Sequence, residues 1–320
     1  MKHEIPGLHH ITAIASDPQQ NVDFYTGVLG LRLVKITINY DDPGSYHFYY
    51  GDEAGAPGSI LTFFAWPDGS SGAHGTAQAT VTSFSVPKGS LSEWQKRFEQ
   101  HHVRYEPPVH RWDEEAMTFY DPDGLQLELT AHVGAEDRAA WSDGPIPLEF
   151  ATRGFHSVTL SLKDKTRTAK LLTEIMGFQF LREEGNRARY AAGEHGTART
   201  VDILTLPGVH EGSVGVGSVH HVAWRTLTDE QQQGWQETLI RQRYQVSSVM
   251  DRQYFQSIYF REPGGVLFEI ATDQPGFTAD EPLETLGTRL CLPDWLEPNR
   301  EQVQRRLLKL TLPKTRKETE

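Results

Sequence analysis

One pattern recurs four times along the 320 residues, and it restricts the fold more than any other feature. Each copy reads as a strand, an amphipathic helix and then further strands. The first runs from LHHITAIASD to ILTFFAW. The second begins near Gly75 with GTAQATVTSFSV and closes on MTFYDPDGLQLELTAH. The third begins RGFHSVTLSL, and the fourth runs from GSVHHVAWRTL to SIYFREPGGVLFEIATD. Starts near residues 8, 77, 155 and 220 give units of roughly 65–80 residues, too long for a solenoid repeat. Helix signals support the reading: Ser16 or Asp17 can cap the first helix and Gly30 can stop it.

A small open sheet with one helix cannot bury both faces, so such modules must pair, closing curved sheets around a cavity. The expected fold is therefore α+β, with four βαβββ modules paired in chain order into two domains. Modules 1 and 2 would fill 1–145, and modules 3 and 4 would fill 146–275. The Gly/Pro-bearing stretch WSDGPIPLEFATRG (141–154) would join them. A tail over 276–320 carries one helix signal, NREQVQRRLLKL, expected to pack across the domains.

Composition removes several function classes. The net charge is −12 with no basic stripe, and the terminal PKTRKETE is short and mixed in sign, which argues against nucleic acid as a partner. The one cysteine, Cys291, allows neither an internal disulfide nor a cysteine-based zinc site. No apolar run approaches 18 residues and the N-terminus lacks an apolar leader core. The expectation is a cytoplasmic protein with no membrane contact. An edge strand or the tail could mediate a homo-oligomer.

The repeat permits an internal alignment. FYDPDGLQLELT of module 2 and FREPGGVLFEIAT of module 4 place Glu128 opposite Glu269. LHHIT, FHSVT and VHHVA place His9, His156 and His220 at one position and His10, Ser157 and His221 at the next. Only His10, His221 and Glu269 combine two histidines with a strand-borne carboxylate. Two neutral imidazoles and one carboxylate form a facial triad that suits a divalent metal, Fe(II) above all, with Mn(II) acceptable to the same ligands, and leaves positions open for substrate and oxygen. In the apolar run VLFEIA a bare carboxylate would be costly, and a cation removes that cost. His156 reads as structural, and Glu128 as a relic or a hydrogen-bonded interior acid.

Other groups fall near this triad. Period-two alternation puts Thr12 on the face of His10. His9 and His220 should point the other way unless the strand end twists, and from there could orient the ligands. Arg252 and Tyr259 precede Glu269 on strands expected to flank it, where a phenol can move a proton and a guanidinium can hold an anionic oxygen. Thr118 stands where module 2 would match Tyr259, so the fold does not demand a tyrosine. EPGGV is a hairpin turn rather than a phosphate loop.

Repeated βαβββ modules with strand-borne His and Glu resemble the vicinal oxygen chelate superfamily. Within it, LHHIT, VHHVAW and DRQYFQSIYFREPGGVLFEIATD resemble the hydroquinone-type ring-cleaving dioxygenases, a likeness that covers nearly the whole chain, including LPDWLEPNREQVQ. The resemblance implies a metal held by His10, His221 and Glu269, with His9, Thr12, His220, Arg252 and Tyr259 around it. It also implies O2 and a small aromatic as reactants. Because Ser157 stands where a ligand from module 3 would be needed, modules 1 and 4 must meet around one cavity. Two other readings remain at this point: a glyoxalase-type metal-dependent isomerase or lyase, and a non-catalytic binder of aromatic or quinone compounds.

Overall fold

The computed structural model describes residues 4–193 and 198–312, so the terminal PKTRKETE lies outside the described residues. All four modules form as expected. Module 1 holds β1 (Leu8–Ala15), α1 (Pro18–Val22), β2 (Arg32–Asn39), β3 (Asp42–Gly51) and β4 (Ile60–Ala65). Module 2 holds β5 (Gln78–Pro87), α2 (Leu91–Gln100), β6 (Val109–Arg111), β7 (Glu114–Tyr120) and β8 (Gln126–His132). Module 3 holds β9 (Phe155–Leu162), α3 (Thr166–Lys170), β10 (Gln179–Glu184), β11 (Arg187–Ala191) and β12 (Thr200–Thr205). Module 4 holds β13 (Val219–Thr226), α4 (Asp229–Arg241), β14 (Met250–Asp251), β15 (Gln256–Arg261) and β16 (Leu267–Thr272). No described helix is long and apolar enough to cross a membrane.

Local chemistry explains the elements. Asp17 accepts the Gln20 N–H at 2.8 Å and so caps α1. That helix widens into a π-helical turn over Asp23–Val28 and stops at Gly30. There φ is +66°, and a Cβ would fall 2.3 Å from Ile146 Cγ1, so only glycine fits. β1 and β9 are buried along their whole length, which is why they lack the alternation of a half-exposed strand.

The sheets correct the pairing expected from chain order. One eight-stranded sheet runs β14-β15-β16-β13-β1-β4-β3-β2 and the other β10-β11-β12-β9-β5-β8-β7-β6. Module 1 is thus continuous with module 4 through antiparallel β1–β13, and module 2 with module 3 through antiparallel β5–β9. Within each module the first strand is parallel to the last and keeps one free edge, so first strands are where modules can join. The connections decide which ones do. Residues 66–77 and 206–218 both cross between the sheets and run alongside each other, bridging Ser71 to Val216, Ala73 to Ser213 and Thr76 to Glu211. The bound near 145 falls in the connection between β8 and β9 and that near 275 just after β16, but each sheet draws on both halves of the chain.

Chain-order neighbours still touch, through matched buried acids. Asp121 of module 2 accepts from Tyr25 OH beside α1 at 2.9 Å. Glu262, its counterpart in module 4, accepts from Thr168 Oγ1 on α3.

Among the described residues the tail covers the free edge of β2, and its Leu310 and Leu312 pack against the main core. Cys291 N–H donates to Ile36 O at 2.8 Å. α5 (Arg300–Arg306) lies beyond it, and Leu292, Val303 and Leu307 pack on Ile38. Covering an edge strand in this way blocks unwanted pairing. Beneath it the fully buried Lys35 ammonium lies 2.5 Å from both Asp280 and Glu281.

Candidate metal centre

The middle of the first sheet carries the triad. β16, β13 and β1 are consecutive there, and His10, His221 and Glu269 are all buried. His10 Nε2 lies 3.3 Å from His221 Nε2 and 3.3 Å from Glu269 Oε2, and His221 Nε2 lies 2.9 Å from the same oxygen. Metal bonds of about 2.0–2.2 Å to imidazole and carboxylate put adjacent donors about 3 Å apart, as these are. Glu269 Oε1 accepts from Ser257 Oγ at 2.5 Å, whereas Oε2 is buried without a hydrogen-bond partner of proper geometry. An unsatisfied carboxylate oxygen facing two imidazole nitrogens is the donor set a divalent cation completes, so the residues fit the metal. Burial would raise the Glu269 carboxyl, but His10 and His221 hold it well below the usual carboxylate range. Among the described residues one other cluster, Asp280, Glu281 and Cys291, has this compactness. The Lys35 ammonium already neutralises it.

The paired histidines divide the work. His9 Nδ1 sits 2.9 Å from His10 Nδ1, and His220 Nδ1 sits 2.8 Å from His221 Nδ1. Each candidate ligand therefore presents Nε2 to the centre while its other nitrogen is held by the preceding residue. Strict alternation forbids such contact between neighbours. A register shift between Leu8 and His10 permits it in β1. Burial, the largest cause, pushes both His9 and His220 down to about 3, so both rings are neutral. His220 lines the cavity and His9 does not; His9 lies against Phe255, with ring centres 5.1 Å apart.

A cavity of about 330 Å³ opens over His10 and His221, with Glu269 buried beneath them. On one side stands Tyr259, in register with Glu269, its oxygen 3.3 Å from Arg252 Nε. Arg252 also reaches Asp41 at 3.3 Å across the mouth. Burial and Glu269 raise the Tyr259 phenol, so it keeps its proton. Thr12 lines the cavity as expected from its alternation with His10. Sequence reasoning missed the opposite wall: His47 and Tyr49 on β3, Phe64 on β4, Trp66 beyond it, and Phe255 after β14. Its only local signal was His47 and Tyr49 two apart in YHFYYG.

The second sheet shows what the same frame becomes without ligands. Strand register matches Val81 to His221 and Glu128 to Glu269. Arg111, the counterpart of Arg252, grips Glu128 through two bonds of 2.9 and 2.8 Å. His156 Nε2 lies 2.9 Å from Glu114 Oε1. Glu128 is thus a hydrogen-bonded interior acid and His156 a structural hydrogen-bond partner of Glu114.

Comparison with known proteins agrees with this architecture. A sequence model of the Glyoxalase/Bleomycin resistance protein/Dioxygenase superfamily matches residues 7–129 and 154–270. MhqO of Bacillus subtilis (strain 168), named as a ring-cleaving dioxygenase, is 46% identical over 303 residues, 94% of this chain and 96% of its own. The chlorohydroquinone/hydroquinone 1,2-dioxygenase of Sphingobium indicum is 33% identical over 307 residues, 94% of this chain and 95% of its own. The crystal structure of a B. subtilis protein described as a dioxygenase superposes with a TM-score of 0.92 at 44% identity, covering 98% of this chain and 100% of that one. Maize glyoxalase I shares the fold alone, with a TM-score of 0.61 at 15% identity over 83% of this chain and 92% of its own. Modules, sheets and relatives of 33–46% identity together show that the chain belongs to the Glyoxalase/Bleomycin resistance protein/Dioxygenase superfamily, in the group of its ring-cleaving dioxygenases.

Proposed function

We propose that the protein is an Fe(II)-dependent dioxygenase that opens the ring of a hydroquinone or a related dihydroxylated aromatic with O2. The observation that carries this reading is the convergence of His10 Nε2, His221 Nε2 and Glu269 Oε2 at the floor of an aromatic-walled cavity. The ion would be held by these three residues; when bound, it supplies Lewis acidity and a template that brings ring and dioxygen together. Mn(II) is the other ion the same donors accept.

The surrounding residues then have definite tasks. His9 and His220 hold His10 and His221 in the orientation that aims Nε2 inward. Arg252, charged and tethered to Asp41, steadies a ring oxygen that has lost its proton. Tyr259 keeps its proton beside Glu269 and can give it to an oxygen atom there. Thr12 offers a hydroxyl on the ligand face. Phe64, Trp66 and Phe255 sandwich the ring and exclude water.

The isomerase reading would use a second carboxylate at the ion. The cavity's other carboxylate, Asp41, is largely exposed and paired with Arg252. A non-catalytic binder would have no use for a buried carboxylate aimed at two imidazoles.

The test is to load the protein anaerobically with Fe(II), add methyl- or chlorohydroquinone, admit air and follow oxygen uptake. Uptake abolished in His10→Ala is the expected result. No uptake with any hydroquinone or catechol, despite bound iron, overturns the proposal.

A further inference from the structure

The wall opposite Tyr259 contains a continuous hydrogen-bonded chain of which only one end, Thr12, has a task so far. Thr12 on β1 is in register with Thr62 on β4, and Thr62 with Tyr49 on β3, so the three form a row across adjacent strands. Thr12 Oγ1 lies 2.9 Å from Thr62 Oγ1, Thr62 Oγ1 lies 2.8 Å from His47 Nε2, and His47 Nδ1 lies 3.0 Å from Tyr49 OH. Thr12, Thr62 and Tyr49 are buried. Every member can donate and accept a hydrogen bond. Either neutral tautomer of His47 completes the chain, and the direction of all the bonds reverses with it. Burial, then His10 and His221, holds the His47 imidazole well below its ordinary value and therefore neutral.

The two ends of the chain open on different parts of the cavity. Thr12 is two residues from His10, at the ligand end. Tyr49 lies two strands further across the sheet, at a strand spacing of about 4.8 Å. The Arg252–Tyr259 wall carries a cation and suits an anionic oxygen, whereas the Tyr49 wall is uncharged and suits a hydroxyl. A hydroquinone held by one oxygen at the ligands has a second hydroxyl across the ring. That O–H becomes strongly acidic as electrons leave the ring, and the buried Tyr49 hydroxyl offers its proton a fixed acceptor in place of bulk water.

We propose that Tyr49, His47, Thr62 and Thr12 form a proton relay from the remote ring hydroxyl to the ligand end of the cavity; this rests on the hydroquinone reading above. The O–H bond of the remote hydroxyl breaks as Tyr49 takes its proton and passes its own to His47 Nδ1. His47 releases the Nε2 proton to Thr62, Thr62 passes one to Thr12, and Thr12 delivers one at the ligand end. Dioxygen, the oxidant, takes up protons there as it accepts the ring's electrons. The relay moves protons only, each residue keeps its net charge, and His47 finishes as the other tautomer. Tyr49 is also a specificity element, because catechols and simple phenols present no para hydroxyl to it.

Two variants separate relay from packing. Tyr49→Phe removes the receiving hydroxyl and should weaken anaerobic hydroquinone binding by calorimetry about fivefold to tenfold, the worth of one neutral hydrogen bond. Phenol, without the remote oxygen, should bind both proteins alike. Thr62→Val keeps the volume and interrupts the chain beyond His47. It should leave hydroquinone binding and iron content unchanged while lowering kcat by on the order of 10²-fold, the lower range for positioned proton transfer. Wild type should show a bowed dependence of kcat on deuterium content, the mark of several protons in motion, and Thr62→Val should lose it. Melting curves check folding, and if Tyr49→Phe is destabilised, Thr62→Val decides alone. Unchanged binding in Tyr49→Phe with kcat within twofold of wild type in Thr62→Val overturns the relay, as does equal loss of hydroquinone and phenol binding. Absence of oxygen uptake by wild type defeats the parent reading instead, and the binding comparison still tests Tyr49.

Discussion

Replacing Arg111 by Met tests whether the second sheet is held by an ion pair at the place where the first sheet carries its candidate ligands. Glu128 is 3% exposed, and its two oxygens accept from Arg111 Nη1 and Nη2 at 2.9 and 2.8 Å. Thr130 Oγ1 adds one bond of 3.2 Å. Methionine fills much of the arginine stem but leaves a buried carboxylate with one neutral donor. Breaking a buried pair from one side costs about 3–5 kcal/mol, whereas replacing both partners by neutral groups is often near neutral. Arg111→Met should therefore lose about 3–5 kcal/mol in equilibrium urea unfolding followed by tryptophan fluorescence. The double variant Arg111→Met/Glu128→Gln should recover most of that loss. Iron content and the oxygen assay should stay near wild type, because the triad lies in the other sheet. A single-variant cost below about 1 kcal/mol, or a double variant no more stable than Arg111→Met, would refute the reasoning.

Three further outcomes follow from the same geometry. His221→Ala with Glu269→Ala leaves one ligand of three, and iron per chain after desalting should fall to background; retained iron would remove the assigned site. Asp121 is pushed up to about 7, first by burial, so the folded state holds a proton that the unfolded chain gives up near pH 4. Stability from this group is complete below pH 4 and is lost as pH rises towards 7. Asp121→Asn can keep the acceptor for Leu125 N–H and should flatten unfolding free energy between pH 4 and 7, and an unchanged slope contradicts the assignment. Phe255 is 4% exposed with its ring 4.9 Å from that of His10; Phe255→Ala should cost about 3–5 kcal/mol by urea unfolding and loosen ring binding together.

The repeat made the modules and the candidate ligand set readable in the sequence, because duplication lets one chain serve as its own alignment. His10 and His221 emerged by comparison with Ser157, and Glu269 by comparison with Glu128. His47 and Tyr49 did not emerge, because no other module repeats them and a single pair of polar residues in a strand carries no pattern. The position of Phe255 was equally silent, since it depends on the turn after β14.

Sequence by itself therefore determined what each module is and which side chains could ligate. Local propensity and burial periodicity act within one module, and those are written residue by residue. Only tertiary structure decided which modules share a sheet. Every first strand offers a similar free edge, so the choice of β1 with β13 and β5 with β9 comes from two crossing connections packed side by side, residues 66–77 and 206–218. That choice carried His10 to His221 across 211 positions. It also put Asp41 within reach of Arg252. No stretch of sequence specifies such contacts, because they belong to the curvature of a sheet built from both ends of the chain.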